Sequence, residues 1–139
     1  MNSTINSENY RTFLRVLVAE DNPTNLRIAQ ITLKPLVLKF DPAENGLVAF
    51  EKFKANKYDV IFMDVHMPVM DGYEATKKIR AFEKDNHLDP VKIVAVTGSA
   101  MEEDEKRCIS CGMDHYLSKP FDRDDLIIIL QKLNLKNKE

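Results

Sequence analysis

The stretch Tyr58-Asp59-Val60-Ile61-Phe62-Met63-Asp64 decides the fold, because it places a short apolar run directly before a carboxylate. Parallel strands that are covered on both faces contain near-continuous apolar runs of this kind. Residues 58–63 therefore predict a buried strand in the middle of a parallel sheet, with Asp64 at its carboxyl end.

Four further apolar runs of strand length alternate with longer segments of helical periodicity. This alternation is typical of β-α-β units and predicts a doubly wound α/β fold with a five-stranded parallel sheet. The predicted strands cover residues 14–19, 37–40, 58–63, 91–96 and the neighbours of Tyr116. Predicted helices begin at residues 21–23, near 45–46, after 72, at about 101 and after 121, and a polar connection is expected at 83–90.

Ionisable and hydroxyl side chains follow four of the apolar runs. Glu20 and Asp21 follow the first run, Asp64 the third, Thr97 the fourth, and Lys119 comes after the fifth. Because ligands bind at the carboxyl ends of the strands in an open parallel sheet, we expect these side chains to meet in one crevice. Three carboxylates, a hydroxyl and an ammonium group would form a site for a divalent cation and a phosphoryl group.

Length and charge narrow the class of protein. A chain of 139 residues with 44% apolar composition suffices for one domain with a core. The net charge of −2, with basic residues spread along the chain, does not indicate direct nucleic-acid binding. The polar start lacks the features of a secretory signal, and no apolar stretch is long enough for membrane insertion, so we expect a soluble, cytoplasmic protein.

Four motifs carry a resemblance to a known family. They are Val-Ala-Glu-Asp-Asn at 18–22, Asp-Val-His-Met-Pro-Val-Met-Asp-Gly at 64–72, Ala-Val-Thr-Gly at 95–98 and Tyr-Leu-Ser-Lys-Pro at 116–120. Together they resemble the receiver domain of two-component response regulators, most closely the receivers of hybrid histidine kinases and phosphorelays. The resemblance implies a (βα)5 flavodoxin-like receiver fold with strand order 2-1-3-4-5 over residues 13–133. A polar N-terminal extension at 1–12 and a polar tail at 134–139 would flank it.

The resemblance implies a chemical role for the acidic residues. Asp64 would be the phosphoacceptor, a carboxylate nucleophile that forms an aspartyl phosphate. Glu20, Asp21 and Asp64, with the backbone carbonyl of His66, would hold Mg²⁺ or, alternatively, Mn²⁺, because such cations prefer hard oxygen ligands. The simpler structural alternative is that Asp21 or Asn22 only caps the following helix.

Three other residues receive roles from the same resemblance. Lys119 would contact the phosphoryl oxygens, and the Lys119-Pro120 peptide bond would be cis. Thr97 would donate its hydroxyl to the phosphoryl group, and Tyr116 would turn inward in response, which gives a two-state switch. Without the resemblance, Lys119 would be read as an exposed loop residue and Tyr116 as a half-buried aromatic.

The implied function is signalling by a phosphoacceptor, with self-catalysed phosphorylation and dephosphorylation, and not a metabolic enzyme. The phosphoryl group would come from a histidine kinase or a histidine phosphotransfer protein, and a downstream protein partner would read the product. The initial Met1 favours a free-standing regulator over a fragment of a hybrid kinase, but the sequence leaves both open.

Other classes of protein remain as alternatives. A magnesium-dependent phosphohydrolase of the haloacid dehalogenase type also uses a strand-end aspartate, but it has a second acid where this chain has His66. A flavodoxin-like binding module would need phosphate-cradling residues where Glu20 and Asp21 stand. A degenerate receiver that acts only by protein contact conflicts with the complete set of acids, Thr97 and Lys119.

Two local patterns lie outside this account. Cys108 and Cys111 have redox spacing and, with His115, form a partial zinc set that lacks a fourth ligand. Pro35 stands where receivers often carry glycine, so the first helix must end differently, and Pro42 suits an edge strand.

Overall fold

The fold is a single five-stranded parallel sheet with helices on both faces. A computed structural model of the chain describes residues 10–98 and 102–133. The strands are β1 (Arg15–Ala19), β2 (Lys39–Ala43), β3 (Val60–Asp64), β4 (Lys92–Thr97) and β5 (His115–Ser118). The helices are α1 (Pro23–Leu33), α2 (Gly46–Ala55), α3 (Gly72–Asp85), α4 (Glu102–Ser110) and α5 (Arg123–Lys132). All four strand pairings are parallel, in the order β2-β1-β3-β4-β5, which confirms the predicted fold and strand order.

Alternate residues of the central strands supply the two halves of the core, as the period of two in a strand requires. Ile61 and Met63 of β3 face the apolar cluster beneath α2, α3 and α4. Val60 and Phe62 face the second cluster, beneath α1 and α5. All five residues of β3 are buried, so the prediction of a central strand covered on both faces is confirmed.

The strand at the β2 edge begins and ends later than predicted. Pro35 lies in a short 3-10 turn at 34–36 that follows α1, and the buried Val37 still belongs to the connection. The predicted strand at 37–40 is therefore wrong in its bounds. Pro42 lies within β2 opposite Val18, and an edge strand tolerates a proline because one side of it needs no backbone donor.

The predicted polar connection at 83–90 is also wrong at its start, because α3 continues to Asp85. Glu83 is only 3% exposed, and its carboxylate accepts hydrogen bonds from Arg80 (2.9 Å) and the backbone N–H of Val91 (2.7 Å). Arg80 also donates to Asp114 at 3.0 Å, so Glu83 belongs to a partly buried polar network at the end of α3, and the connection itself begins at Asn86.

The other predicted elements agree with the structure to within one or two residues. The predicted start of α4 at Met101, the tail at 134–139 and most of the extension at 1–12 lie outside the described residues. Thr12 is buried, and its hydroxyl donates to the Leu36 carbonyl at 2.8 Å. No helix in the described residues is long and apolar enough to cross a membrane.

Candidate functional site

The predicted site residues lie along one edge of the sheet. Asp64 and Thr97 are the last residues of β3 and β4, Glu20 directly follows β1, and Lys119 directly follows β5. The register brings these ends level, since Ala19 pairs with Met63 and Asp64 pairs with Val96. The sheet therefore brings together residues that are up to 99 positions apart in the sequence.

Three carboxylates form a cluster at this edge. One carboxylate oxygen from each of Glu20, Asp21 and Asp64 lies within 4.8 Å of the other two. Glu20 and Asp64 are each 6% exposed, whereas Asp21 is exposed to solvent. A partly buried set of hard oxygen ligands with one open side suits a divalent cation such as Mg²⁺, which retains several waters when a protein binds it.

Lys119 neutralises part of this negative charge. Its Nζ donates to Oε1 of Glu20 at 2.6 Å and to Oδ2 of Asp64 at 3.4 Å, so its stronger contact is with Glu20. The Lys119 backbone N–H donates to the Thr97 carbonyl at 2.8 Å, and the Lys119-Pro120 peptide bond is cis, as predicted. The ion pair with Glu20 was not predicted, because the sequence carries no signal that pairs these positions.

The surroundings separate the pKa values of the two buried acids. Burial, and next the charge of Glu20, raise the pKa of Asp64 to about 6, against the opposing effects of Lys119 and the His66 backbone N–H. Burial also acts to raise the pKa of Glu20, but hydrogen bonds from Lys119 and the Asn22 backbone N–H outweigh it, so that pKa is lowered. Asp64 is therefore the better proton acceptor of the pair, and it is still ionised at neutral pH.

The charge state of Lys119 follows from the same contacts. Burial acts to lower the pKa of Lys119, but its hydrogen bond to Glu20 and the charge of Asp64 outweigh that effect and raise the pKa. Lys119 therefore remains an ammonium group beside Asp64, where it can stabilise negative charge that develops on an added group.

The loop after β3 brings the first residue of α3 into close contact with the Asp64 backbone. Asp71 caps α3 by accepting from the Glu74 backbone N–H at 2.8 Å. The Gly72 N–H donates to the Val65 carbonyl at 3.0 Å, and a Cβ at Gly72 would lie 2.3 Å from the Asp64 carbonyl oxygen. This close approach was missed, because only the tertiary structure shows that α3 begins against the end of β3.

The two predicted switch residues lie on the neighbouring strands β4 and β5. Thr97 is fully buried at the end of β4, opposite Ser118 of β5. Tyr116 is partly buried and packs against the core cluster beneath α2, α3 and α4. The His66 side chain is exposed, and its ring centroid lies 6.5 Å from the Tyr73 ring centroid in an edge-to-face arrangement.

The cysteines do not form a metal site among the described residues. Cys108 is fully buried and Cys111 half-buried, both are free thiols, and burial raises the pKa of each. Across residues 10–98 and 102–133, Glu20, Asp21 and Asp64 are the only set of three acidic, cysteine or histidine side chains placed to share a cation. The partial zinc set with His115 therefore lacks the necessary geometry.

Comparison with known proteins supports the structural result. The model of the response regulator receiver domain family matches residues 16–131. Hybrid signal transduction histidine kinase B of Dictyostelium discoideum is 40% identical in an alignment of 129 residues that covers 87% of this chain and 7% of the kinase. Sensor histidine kinase GacS of Pseudomonas protegens is 37% identical over 118 residues, which cover 85% of this chain and 13% of GacS. The chain thus spans only a small part of these relatives.

Two solved structures share the fold with substantial sequence identity. The receiver domain of sensor histidine kinase PA1611 from Pseudomonas aeruginosa PAO1, with a magnesium ion coordinated in its active-site cleft, aligns with a TM-score of 0.76 and 37% identity. This alignment covers 86% of this chain and 96% of that one.

The second is a chain of the co-crystal structure of the histidine phosphotransfer protein Ypd1 and the receiver domain of Ssk1 from Saccharomyces cerevisiae. It aligns with a TM-score of 0.79 and 32% identity, over 91% of this chain and 90% of that one. Because the family model covers most of the sequence and the sheet has the same architecture, the chain belongs to the response regulator receiver domain family.

Proposed function

We propose that this receiver domain takes a phosphoryl group from a phosphohistidine onto Asp64 and thereby changes the surface that it offers to a protein partner. The observation that carries the proposal is the cluster of Glu20, Asp21 and Asp64 within 4.8 Å, with the Lys119 ammonium group hydrogen-bonded to two of the three acids. A carboxylate nucleophile, a cation site and a fixed ammonium group are the components that phosphoryl transfer to an acid requires.

The transfer step follows from the position of Asp64. A carboxylate oxygen of Asp64 forms a bond to phosphorus while the bond from phosphorus to the donor imidazole nitrogen breaks. The electron pair of that bond returns to the nitrogen. The His66 backbone N–H donates to Oδ1 of Asp64 at 3.3 Å and holds the carboxylate in place. Lys119 stabilises the charge on the phosphoryl oxygens.

Glu20, Asp21, Asp64 and the backbone carbonyl of His66 are the residues that would hold Mg²⁺, and Mn²⁺ has the same preference for oxygen ligands. A bound divalent cation would neutralise charge on the phosphoryl group as it transfers. The magnesium ion in the related PA1611 receiver domain supports this assignment.

Thr97 and Tyr116 form the proposed switch. A phosphoryl group on Asp64 introduces new acceptor oxygens, and the buried Thr97 hydroxyl lies on the neighbouring strand end. Movement of Thr97 toward them would leave space for the half-buried Tyr116 ring to turn inward. The β5 surface would then change without any change of fold.

The phosphodonor, the downstream partner and the cellular location of this receiver domain are part of the same proposal. The donor is a histidine kinase or a histidine phosphotransfer protein, for which the Ypd1 co-crystal structure of a related receiver is the support. The output is contact with a downstream protein, and the protein acts in the cytoplasm. The phosphoryl group is lost slowly when water, positioned by the same residues, attacks phosphorus in line with the Asp64 oxygen.

Incubation with acetyl phosphate and Mg²⁺, followed by intact mass measurement, tests the proposal. The native chain should gain the mass of one phosphoryl group, and chelation of the cation should abolish the gain. Asp64→Asn should gain none. Asp89→Asn, at an exposed position near the amino end of β4, serves as the matched control and should behave as the native chain does.

Two results would reject the function. One is a native chain that gains no phosphoryl mass under these conditions. The other is an Asp64→Asn variant that gains the same mass at the same rate, because the phosphoryl group would then reside on another residue.

A further inference from the structure

Tyr73 carries a buried hydroxyl group that makes no hydrogen bond with the residues that the structure describes. The residue lies in the first turn of α3 and is 3% exposed. It directly follows Gly72, the glycine that approaches the Asp64 carbonyl. A buried hydroxyl without a partner destabilises a fold, because the group has lost its contacts with water and gained none in exchange. Such groups are rare in native structures, and this one requires a physical reason.

Contacts on two sides hold the Tyr73 ring in place. The guanidinium carbon of Arg107, on α4, lies 3.9 Å from the ring centroid, which is a cation–π contact. The His66 ring meets the Tyr73 ring edge to face. The ring also belongs to the core cluster beneath α2, α3 and α4. The hydroxyl is therefore held inside the fold, and a hydrogen-bond partner has to approach it there.

Tyr116 lies on the same side of the sheet as Tyr73. Its neighbour across the β4–β5 pairing is Ala95, and Ala95 and Tyr73 belong to the core cluster against which Tyr116 packs. Burial raises the pKa of each tyrosine, and the nearby Cys108 thiol raises it further, to about 12 for Tyr73. Both hydroxyls therefore lie near this thiol and stay protonated at neutral pH. A thiol is a weak hydrogen-bond partner and does not satisfy the Tyr73 hydroxyl.

We infer that Tyr73 is the buried hydrogen-bond partner of Tyr116 in the switched state: when Thr97 moves toward a phosphoryl group on Asp64 and Tyr116 turns inward, the two tyrosine hydroxyls bond to each other. This inference rests on the proposed function, because phosphorylation of Asp64 drives the movement. Either hydroxyl can donate while the other accepts. The inward state then gains a hydrogen bond and loses an unsatisfied buried group. Tyr73 is thus a positioning residue of the switch and takes no part in the transfer step.

The inference predicts that the Tyr73 hydroxyl has opposite effects in the two states. Tyr73→Phe keeps the ring and its contact with Arg107 and removes only the oxygen. Without a phosphoryl group, the variant should be at least as stable as the native chain in urea denaturation, because an unsatisfied buried group is gone. With a phosphoryl analogue at Asp64, the variant lacks the bond that stabilises the inward state, so the analogue should bind more weakly.

Titration with beryllofluoride in the presence of Mg²⁺ tests the inference, because this complex is a stable analogue of the phosphoryl group. The native chain, Tyr73→Phe, Tyr116→Phe and the double variant form a double-mutant cycle. We expect each single substitution to raise the dissociation constant about fivefold. The double substitution should raise it no further, because both changes remove the same hydrogen bond.

Thr76 provides a matched control in the same helix. It is fully buried, and its hydroxyl also makes no hydrogen bond within the described part of the chain. It lies one turn farther from the acidic crevice, and its methyl group faces Gly112. Thr76→Val removes this hydroxyl and preserves the shape of the side chain. We expect the variant to be at least as stable as the native chain and to bind beryllofluoride with native affinity.

The outcomes separate this inference from the proposed function. If the native chain takes no phosphoryl group from acetyl phosphate, the proposed function itself is wrong. If it does, the inference alone is contradicted when Tyr73→Phe keeps the native affinity for beryllofluoride, or when the native chain does not bind it at all. The inference is equally contradicted if the effects of the two tyrosine substitutions multiply in the double variant, if Tyr73→Phe destabilises the resting chain, or if Thr76→Val weakens binding as much as Tyr73→Phe does.

Discussion

Lys119 donates a 2.6 Å hydrogen bond to Glu20, and this contact is shorter than its 3.4 Å contact with the phosphoacceptor candidate Asp64. The ammonium group is therefore held at the crevice by an acid that is not itself the nucleophile. This arrangement keeps Lys119 charged and close to Asp64 while leaving the Asp64 oxygens less tightly engaged. Glu20 thus serves both as a candidate cation ligand and as the residue that positions Lys119.

Replacing Lys119 should slow phosphorylation without weakening cation binding. In Lys119→Met the proposed donor to the phosphoryl oxygens is lost, and we expect the rate with acetyl phosphate to fall about 10- to 100-fold. Mg²⁺ affinity, measured by calorimetric titration, should stay the same or increase, because a competing positive charge has left the site. Lys57→Met, an exposed position just before β3, is the control, and a native rate in Lys119→Met would contradict the role of the lysine.

Replacing Asp21 should weaken Mg²⁺ binding. Asp21 is exposed, and its carboxylate completes the set of three within 4.8 Å, so Asp21→Ala removes a ligand without leaving a buried charge unpaired. We expect the dissociation constant from calorimetric titration to rise about tenfold or more. Unweakened binding in this variant, with Asp89→Ala as reference, would remove Asp21 from the cation site.

The raised pKa of Asp64 makes the stability of the cation-free protein depend on pH. A folded-state pKa of about 6, above the ordinary value of 3.8, means that the folded state binds the proton more tightly than the unfolded state. The associated stability is fully present below about pH 4 and is lost as pH rises through 6. Asp64→Asn should therefore be more stable than the native chain above pH 6, by about 1 to 3 kcal/mol.

Urea denaturation in the presence of a chelator, from pH 4 to 8, measures this difference. The advantage of Asp64→Asn should shrink as pH falls toward 4, where the native carboxyl is protonated. Asp89→Asn controls for the substitution itself. An Asp64→Asn variant that is less stable than the native chain at pH 7 would show that burial and the Glu20 charge do not dominate at Asp64.

Two glycines at the same edge of the sheet should differ sharply in their tolerance of alanine. In Gly72→Ala the new Cβ would lie 2.3 Å from the Asp64 carbonyl oxygen, whereas at Gly98 no described atom lies within 4 Å. Gly72→Ala should lose about 1 to 3 kcal/mol of unfolding free energy, because overpacking forces the backbone to shift. Gly98→Ala should change it little, and equal stability of the two variants would place α3 farther from Asp64 than described.

Much of this site can be predicted from the sequence, because its residues follow apolar runs. Parallel strands end at the same edge of a sheet, so residues that follow such runs lie close together. Asp64, Thr97 and Lys119 each follow a run that became β3, β4 or β5, so the crevice could be predicted from those runs alone. The strand order came from the family resemblance, since periodicity does not order strands.

Other features of the fold and the site depend on tertiary contacts that a local sequence pattern does not indicate. The bounds of β2 shifted because a 3-10 turn containing Pro35 extends the end of α1. The polar character of Glu83 predicts a loop, but in the fold Arg80 and the Val91 N–H both donate hydrogen bonds to its buried carboxylate. The Lys119–Glu20 ion pair and the approach of Gly72 to Asp64 each join residues that only the folded sheet brings together.

The most direct test of the central claim is to identify the modified residue chemically. After phosphorylation by acetyl phosphate with Mg²⁺, borohydride reduces an aspartyl phosphate to homoserine, and peptide mass spectrometry then locates that residue. We predict homoserine at position 64 and at no other aspartate, and its absence when Mg²⁺ is chelated. Homoserine at Asp21 or at any other carboxylate, with position 64 unmodified, would contradict the account.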